Sequence, residues 1–116
     1  MWESDLEIEV EPDLDGRVVV RVRGPLDLPE AGELRTVFAD LCAQECPDVV
    51  LDLSEVSFIG SSGLGCITAF RHDLVQQDKT LLLRGASRAI RRAFEITHLD
   101  RLLEFEPAEA DLRQSP

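Results

Sequence analysis

The residues best placed to do chemistry lie in Gly60-Ser61-Ser62-Gly63-Leu64-Gly65, where an apolar stretch, Val56 to Ile59, meets an amphipathic helical pattern. A serine at a strand-to-helix turn meets unpaired backbone N–H groups and the positive end of the helix dipole. That field suits an added phosphate, which brings about −1.5 to −2 charges to a neutral surface. One serine can cap the helix with its hydroxyl while the other stays on the rim, and position alone leaves cap and phosphorylation switch equally open. Two catalytic alternatives fit poorly. The glycines run G-x-x-G-x-G rather than G-x-G-x-x-G, and no Gly-Lys-Ser/Thr follows to hold nucleotide phosphates. A hydrolase elbow, G-x-S-x-G, is absent, because Leu64 stands at its last glycine. His72 falls in the following helix with nothing to aim it at either serine. The expectation is a binding protein without catalytic residues.

Other reactive side chains point the same way. Cys42, Cys46 and Cys66 are an odd set, and only His72 and His98 could join Cys42 and Cys46 around a metal, without paired spacing. The three cysteines read as structural, with no metal and no cofactor expected. The net charge of −11 argues against nucleic acid and anionic lipid as partners. No apolar run approaches the roughly 20 residues of a membrane span. The acidic first fifteen residues are the reverse of a signal peptide's basic start, so a cytoplasmic location is expected. Arg84, Arg88, Arg91, Arg92 and Arg101 crowd one stretch, which reads first as a solvated helix face and second as a docking patch for an acidic surface.

The elements that must position Ser61 follow from periodicity. Leu6 to Val10 alternates apolar and acidic residues, as an edge strand does, and Asp13–Gly16 turns it into a second strand, Arg17 to Arg23, in a hairpin. Gly24-Pro25-Leu26-Asp27 is expected to break that strand. Asp27, Pro29 and Glu30 signal a helix start, and Ala31, Leu34, Val37, Phe38, Leu41 and Cys42 share one face of a helix ending before Pro47. Val49 to Leu53 is a buried parallel strand, with Val56 to Ile59 as a separate extended piece. The next helix is marked by Leu64, Ile67, Phe70, Leu74 and Val75, and a strand follows at Thr80 to Arg84. Ser87 caps a last helix carrying Ile90, Ala93, Phe94 and Ile96, before a short strand at Leu103 to Phe105. Alternating strands and helices predict one α/β domain over residues 1–116, with a core from about 5 to 106 and a polar tail. Its sheet is mixed and mostly parallel, with an antiparallel hairpin at the start.

Taken together, Leu51-Asp52-Leu53-Ser54-Glu55-Val56-Ser57-Phe58-Ile59 and the Gly60–Gly65 run resemble the central motif of STAS domains, in particular the anti-sigma factor antagonists of bacterial partner-switching systems. Gly24-Pro25-Leu26-Asp27 resembles the family's Gly-x-Leu-Asp segment, and Arg88 through Leu99-Asp100-Arg101-Leu102 its last helix and exit. The resemblance implies that Ser61 is phosphorylated by an anti-sigma factor that is also a serine kinase of the histidine-kinase-like ATPase fold. The unphosphorylated antagonist binds that kinase and frees the sigma factor, phosphorylation ends the complex, and a serine phosphatase resets it. It further implies a partner-binding surface from Asp27, Gly60, Ser61, Ser62, Gly63 and Leu64, although Asp27 reads equally as a helix cap. One position departs from the pattern: the family usually carries an acid directly before the serine pair, and this chain has Gly60. The competing expectation is a STAS scaffold subunit that is never phosphorylated, serving a lipid-transport or stress-sensing assembly.

Overall fold

The computed structural model describes residues 6–13, 16–27, 31–43 and 47–106. Strands β1 (Glu7–Pro12) and β2 (Val18–Leu26) form the antiparallel hairpin, closed across its turn by Asp13 N–H donating to the Arg17 carbonyl at 2.8 Å. Helix α1 (Ala31–Ala43) leads to β3 (Val49–Ile59), and α2 (Ser61–Gln76) leads to β4 (Leu81–Arg84). Helix α3 (Arg88–Ile96), a single 3-10 turn at Leu99–Arg101 and β5 (Glu104–Phe105) complete the order. The five strands lie in the sheet in chain order, β1-β2-β3-β4-β5, and every pairing after the hairpin is parallel. This is the expected mixed α/β sheet.

One face of the sheet carries the core. Val20, Val22, Leu51, Leu53 and Leu83 are fully buried there with Leu34, Ile67, Phe70, Leu74 and Phe94 from the helices. Phe38 of α1 stacks on Phe70 of α2 with ring centroids 3.6 Å apart, which holds the two helices side by side. The other face is built of charge. Arg23 bridges Glu7 at 3.0 Å and Glu55 at 2.8 Å, while Arg21 bonds Glu11 at 2.6 Å and lies 3.6 Å from Asp52. These pairs run across β1, β2 and β3, so register is written in charge on one face and in apolar volume on the other. Val19 and Val50, which share this face two residues before Arg21 and Asp52, are buried as well.

Several boundaries differ from expectation, each for a local reason. The break expected at Gly24–Asp27 does not occur, and β2 continues through Leu26 opposite Ile59. Gly24 adopts φ +109, which a side chain would resist, and Pro25, which has no N–H to give, sits where the β2–β3 register shifts. Likewise Val49–Leu53 and Val56–Ile59 are one strand rather than two. Asp52 Oδ1 accepts from Ser54 N at 2.9 Å and Ser54 Oγ at 2.7 Å, taking up the local kink without ending the ladder. Val75 and Ile96, among the apolar positions that mark these two helices, are 48% and 68% exposed. Each lies one or two residues beyond an inward anchor, Leu74 or Phe94, and so is turned 100° or 200° away from it. Glu30 and Pro29 of the helix-start signal, Leu14 and Asp15 of the hairpin turn, and Cys46 lie outside the described residues.

Ser87 caps α3 as expected, its Oγ accepting from Ile90 N at 3.2 Å. Ser87→Ala lowers stability by about 1 kcal/mol, read as a lower midpoint in urea with unchanged slope. The arginines of this region are mostly solvated or paired. Arg88 and Arg92 are exposed, Arg84 bonds Glu106 at 2.7 Å, and Arg91 lies over the Phe105 ring at 5.4 Å.

Candidate functional site

Because β2 and β3 are parallel neighbours, they end at the same level, Leu26 opposite Ile59. Each is followed by a helix. The Asp27 carbonyl accepts from Ala31 N at 2.8 Å at the start of α1, and the Gly60 carbonyl accepts from Leu64 N at 3.0 Å at the start of α2. Gly60 N–H donates to the Leu26 carbonyl at 3.0 Å, which ties the two exits together. The segments Gly24–Asp27 and Gly60–Gly65, far apart in the chain, therefore form one surface at the C-terminal end of the sheet.

The residue that opens α2 is Gly60, not a serine. It stands at the N-cap in an extended conformation with no side chain to offer, and Ser61 and Ser62 are the first two helical residues. This corrects the expectation that one of the serines caps the helix. A serine already inside the first turn cannot reach back to the N–H groups that an N-cap oxygen serves. Ser61 is exposed, Ser62 half-buried, and Gly63 and Leu64 face the core. The first turn of α2 contains no acid. A negative group joined to Ser61 Oγ thus enters the field of a helix N-terminus that no residue of its own turn has offset.

Two close contacts shape this surface. The Asp27 carboxylate fills the space where a Cβ on Gly60 would go, so any side chain at position 60 has to displace it. At this end of α2 a carboxylate thus reaches over from the end of β2, while none stands directly before the serines. Gly63 is as tightly enclosed, but by backbone: a Cβ there would run into the Leu26 carbonyl oxygen, with Leu26 Cγ at 2.9 Å and Ile59 Cγ1 at 3.0 Å. Helix α2 can approach the sheet this closely only through a glycine.

Other candidate groups are not assembled into chemistry. His72 is exposed on α2, eleven residues beyond Ser61 and hence about 16 Å further along the axis. Cys66 is buried beneath α1, its Sγ 3.8 Å from the Ala31 carbonyl. Burial pushes its thiol up, and Arg35 only partly offsets this, so the thiolate is scarce at neutral pH. Among the described residues no group of three or more His, Cys, Asp or Glu side chains could hold a metal ion, and no helix is long and apolar enough to cross a membrane.

The comparison with known proteins agrees with this architecture. The sequence model of the STAS domain matches residues 5–112. The chain belongs to the STAS family. This STAS chain is 37% identical over 84 residues to the anti-sigma-B factor antagonists of Staphylococcus epidermidis and Staphylococcus aureus, covering 72% of its own length and 78% of theirs. An anti-sigma factor antagonist from Mycobacterium paratuberculosis is 32% identical and superposes with a TM-score of 0.79 over 91% of this chain and 89% of the other. The unphosphorylated form of the anti-sigma factor antagonist SpoIIAA has the same fold at 19% identity, with a TM-score of 0.71 over 92% of this chain and 94% of its own. The phosphorylated Bacillus SpoIIAA superposes at 20% identity with a TM-score of 0.69, over 93% and 98% of the two chains.

One residue of this STAS surface was not singled out from sequence. Phe58 is 55% exposed on β3, two residues before Gly60. Strict alternation would put it on the same face as Val56, which is buried.

Proposed function

We propose that this protein is an anti-sigma factor antagonist working by partner switching. Unphosphorylated, it binds an anti-sigma factor that is also a serine kinase of the histidine-kinase-like ATPase fold, and the sigma factor goes free. Phosphorylation of Ser61 ends that complex, and a serine phosphatase restores it. The chain is a regulatory binding protein rather than an enzyme. The observation that carries this reading is the exposed Ser61 in the first turn of an uncapped, acid-free helix N-terminus. Support comes from the staphylococcal anti-sigma-B factor antagonists, which match over most of their length, and from SpoIIAA, whose fold is known in phosphorylated and unphosphorylated forms.

In this reading the partner surface comprises Asp27, Gly60, Ser61 and Ser62, with Gly63 and Leu64 behind it setting the height of α2 against the sheet. Asp27 has two compatible roles, its carbonyl opening α1 and its carboxylate lining the surface beside Ser61. The test is phosphate transfer. Incubated with ATP and the purified anti-sigma factor kinase of its own host, the wild-type chain gains one phosphate by mass and Ser61→Ala gains none. Transfer to Ser61→Ala at the wild-type rate would place the modification elsewhere. If no transfer occurs, and wild type and Ser61→Asp capture the same large assembly equally, the protein is a fixed STAS scaffold subunit. Gly60, in place of the usual acid, is the feature that favours that second reading.

A further inference from the structure

Of the phenylalanines among the described residues, Phe38, Phe70 and Phe94 are buried and Phe105 is half-buried, while Phe58 alone is more than half exposed. The irregular pairing of β2 with β3 decides which of its neighbours share its face: two shifts return Phe58 to the face of Asp52, and the second separates it from Val56. Between Arg21↔Asp52 and Arg23↔Glu55 the longer strand gains one residue, and between Gly24↔Val56 and Pro25↔Phe58 it gains another. Each extra residue reverses which face the following side chains take. Val56 and Ile59 consequently both point into the core, and Phe58 stands opposite Pro25 on the charged face. An apolar spot of two rigid side chains is thereby set at the end of the sheet that also carries Asp27 and Ser61. The fold covers Val19 and Val50 on this same face but leaves Phe58 in water.

We infer that Phe58, flanked by Pro25, is the anchor by which the protein partner of the Ser61 switch is held, entering an apolar pocket on that partner. The inference rests on the partner-switching reading above. The charge around the spot selects this occupant over others. Glu7 and Glu55 share the single Arg23, leaving one net negative charge, and Asp27 adds a second close by. An anionic membrane is repelled by that surface, and a second copy docked face to face would set like charges against each other. A different protein offering an apolar pocket and neutral hydrogen-bond donors to Asp27 meets neither penalty. The arrangement also couples to the switch. Burying a large aromatic side chain drives association by excluding water. A phosphate three residues away needs the very water that this closure expels.

The test is calorimetric titration of the purified anti-sigma factor kinase of the host with wild type, Phe58→Ala and Val75→Ala. Val75 is 48% exposed at the far end of α2, about 21 Å from Ser61, and serves as the control for loss of exposed apolar surface. Phe58→Ala is expected to weaken binding at least tenfold, Val75→Ala to stay within twofold of wild type, and thermal unfolding of Phe58→Ala to occur no lower than that of wild type. Binding of Phe58→Ala within twofold of wild type overturns the anchor while leaving partner switching in place. A weakening that Val75→Ala reproduces, or that comes with a loss of folded structure, also overturns it. Absence of binding by the wild-type chain overturns both readings.

Discussion

Gly63→Ala is expected to lower stability by about 2 kcal/mol, while Gly65→Ala, two residues on in the same helix, raises it by about 0.5–1 kcal/mol. Both replacements reduce the freedom of the unfolded chain and improve helix propensity. Only their surroundings differ. An added Cβ at Gly65 meets nothing within 4 Å, whereas at Gly63 it strikes the Leu26 carbonyl oxygen and crowds Leu26 and Ile59 side chains. Backbone cannot swing aside as a side-chain tip can, so α2 has to lift from the end of β2. Forced overpacking of this kind costs about 1–3 kcal/mol, more than the helical gain returns. For a domain near this size, a 2 kcal/mol loss lowers the melting temperature by roughly 10 °C. Urea and thermal unfolding of the two variants check the opposite signs. Equal destabilisation by both would mean that the close approach of α2 to β2 is not what the first glycine serves. Lifting α2 also carries Ser61 away from Asp27, so Gly63→Ala should bind the partner more weakly even where it remains folded.

Ser61→Asp should lose about a hundredfold in affinity for the anti-sigma factor kinase while its own fold becomes slightly more stable. The two effects have different origins. In the free protein the helix dipole favours an anion in the first turn of α2 by about 0.3–1 kcal/mol, and water and salt screen its repulsion from the exposed side of the Asp27 carboxylate. In the complex that anion is stripped of water beside the carboxylate of Asp27, and a loss near 3 kcal/mol corresponds to two decades in the dissociation constant. Phosphoserine carries more charge than aspartate, so the variant sets a lower bound on the effect of phosphorylation. Ser61→Ala, which adds neither charge nor bulk, should bind within threefold of wild type. Titration calorimetry and thermal unfolding on the same samples separate binding from stability. Tight binding by Ser61→Asp would contradict partner switching, and a large fall in its stability would contradict the placement of Ser61 at the open end of α2.

The layout of the domain was legible because its signals are local. Alternation in Leu6 to Val10, the β-branched run Val18-Val19-Val20, the continuous apolar strand at Val49 and the Ser87 cap each follow from backbone periodicity or a single side-chain hydrogen bond. The Ser61-Ser62-Gly63-Leu64-Gly65 run was legible in the same way, since a strand-to-helix turn with small residues marks itself. What the tertiary structure decided depends on how two distant segments pack. Nothing within Gly60–Gly65 says that a glycine holds the N-cap position and leaves the helix without a side-chain cap, or that Asp27 occupies the space which that glycine leaves empty. Local alternation also assigns Phe58 to the core beside Val56. Only the one extra residue between Val56 and Phe58, measured against the partner strand β2, turns Phe58 away from the face of Val56. Periodicity belongs to one strand, but register belongs to a pair, and the face that carries Phe58 was set by the pair.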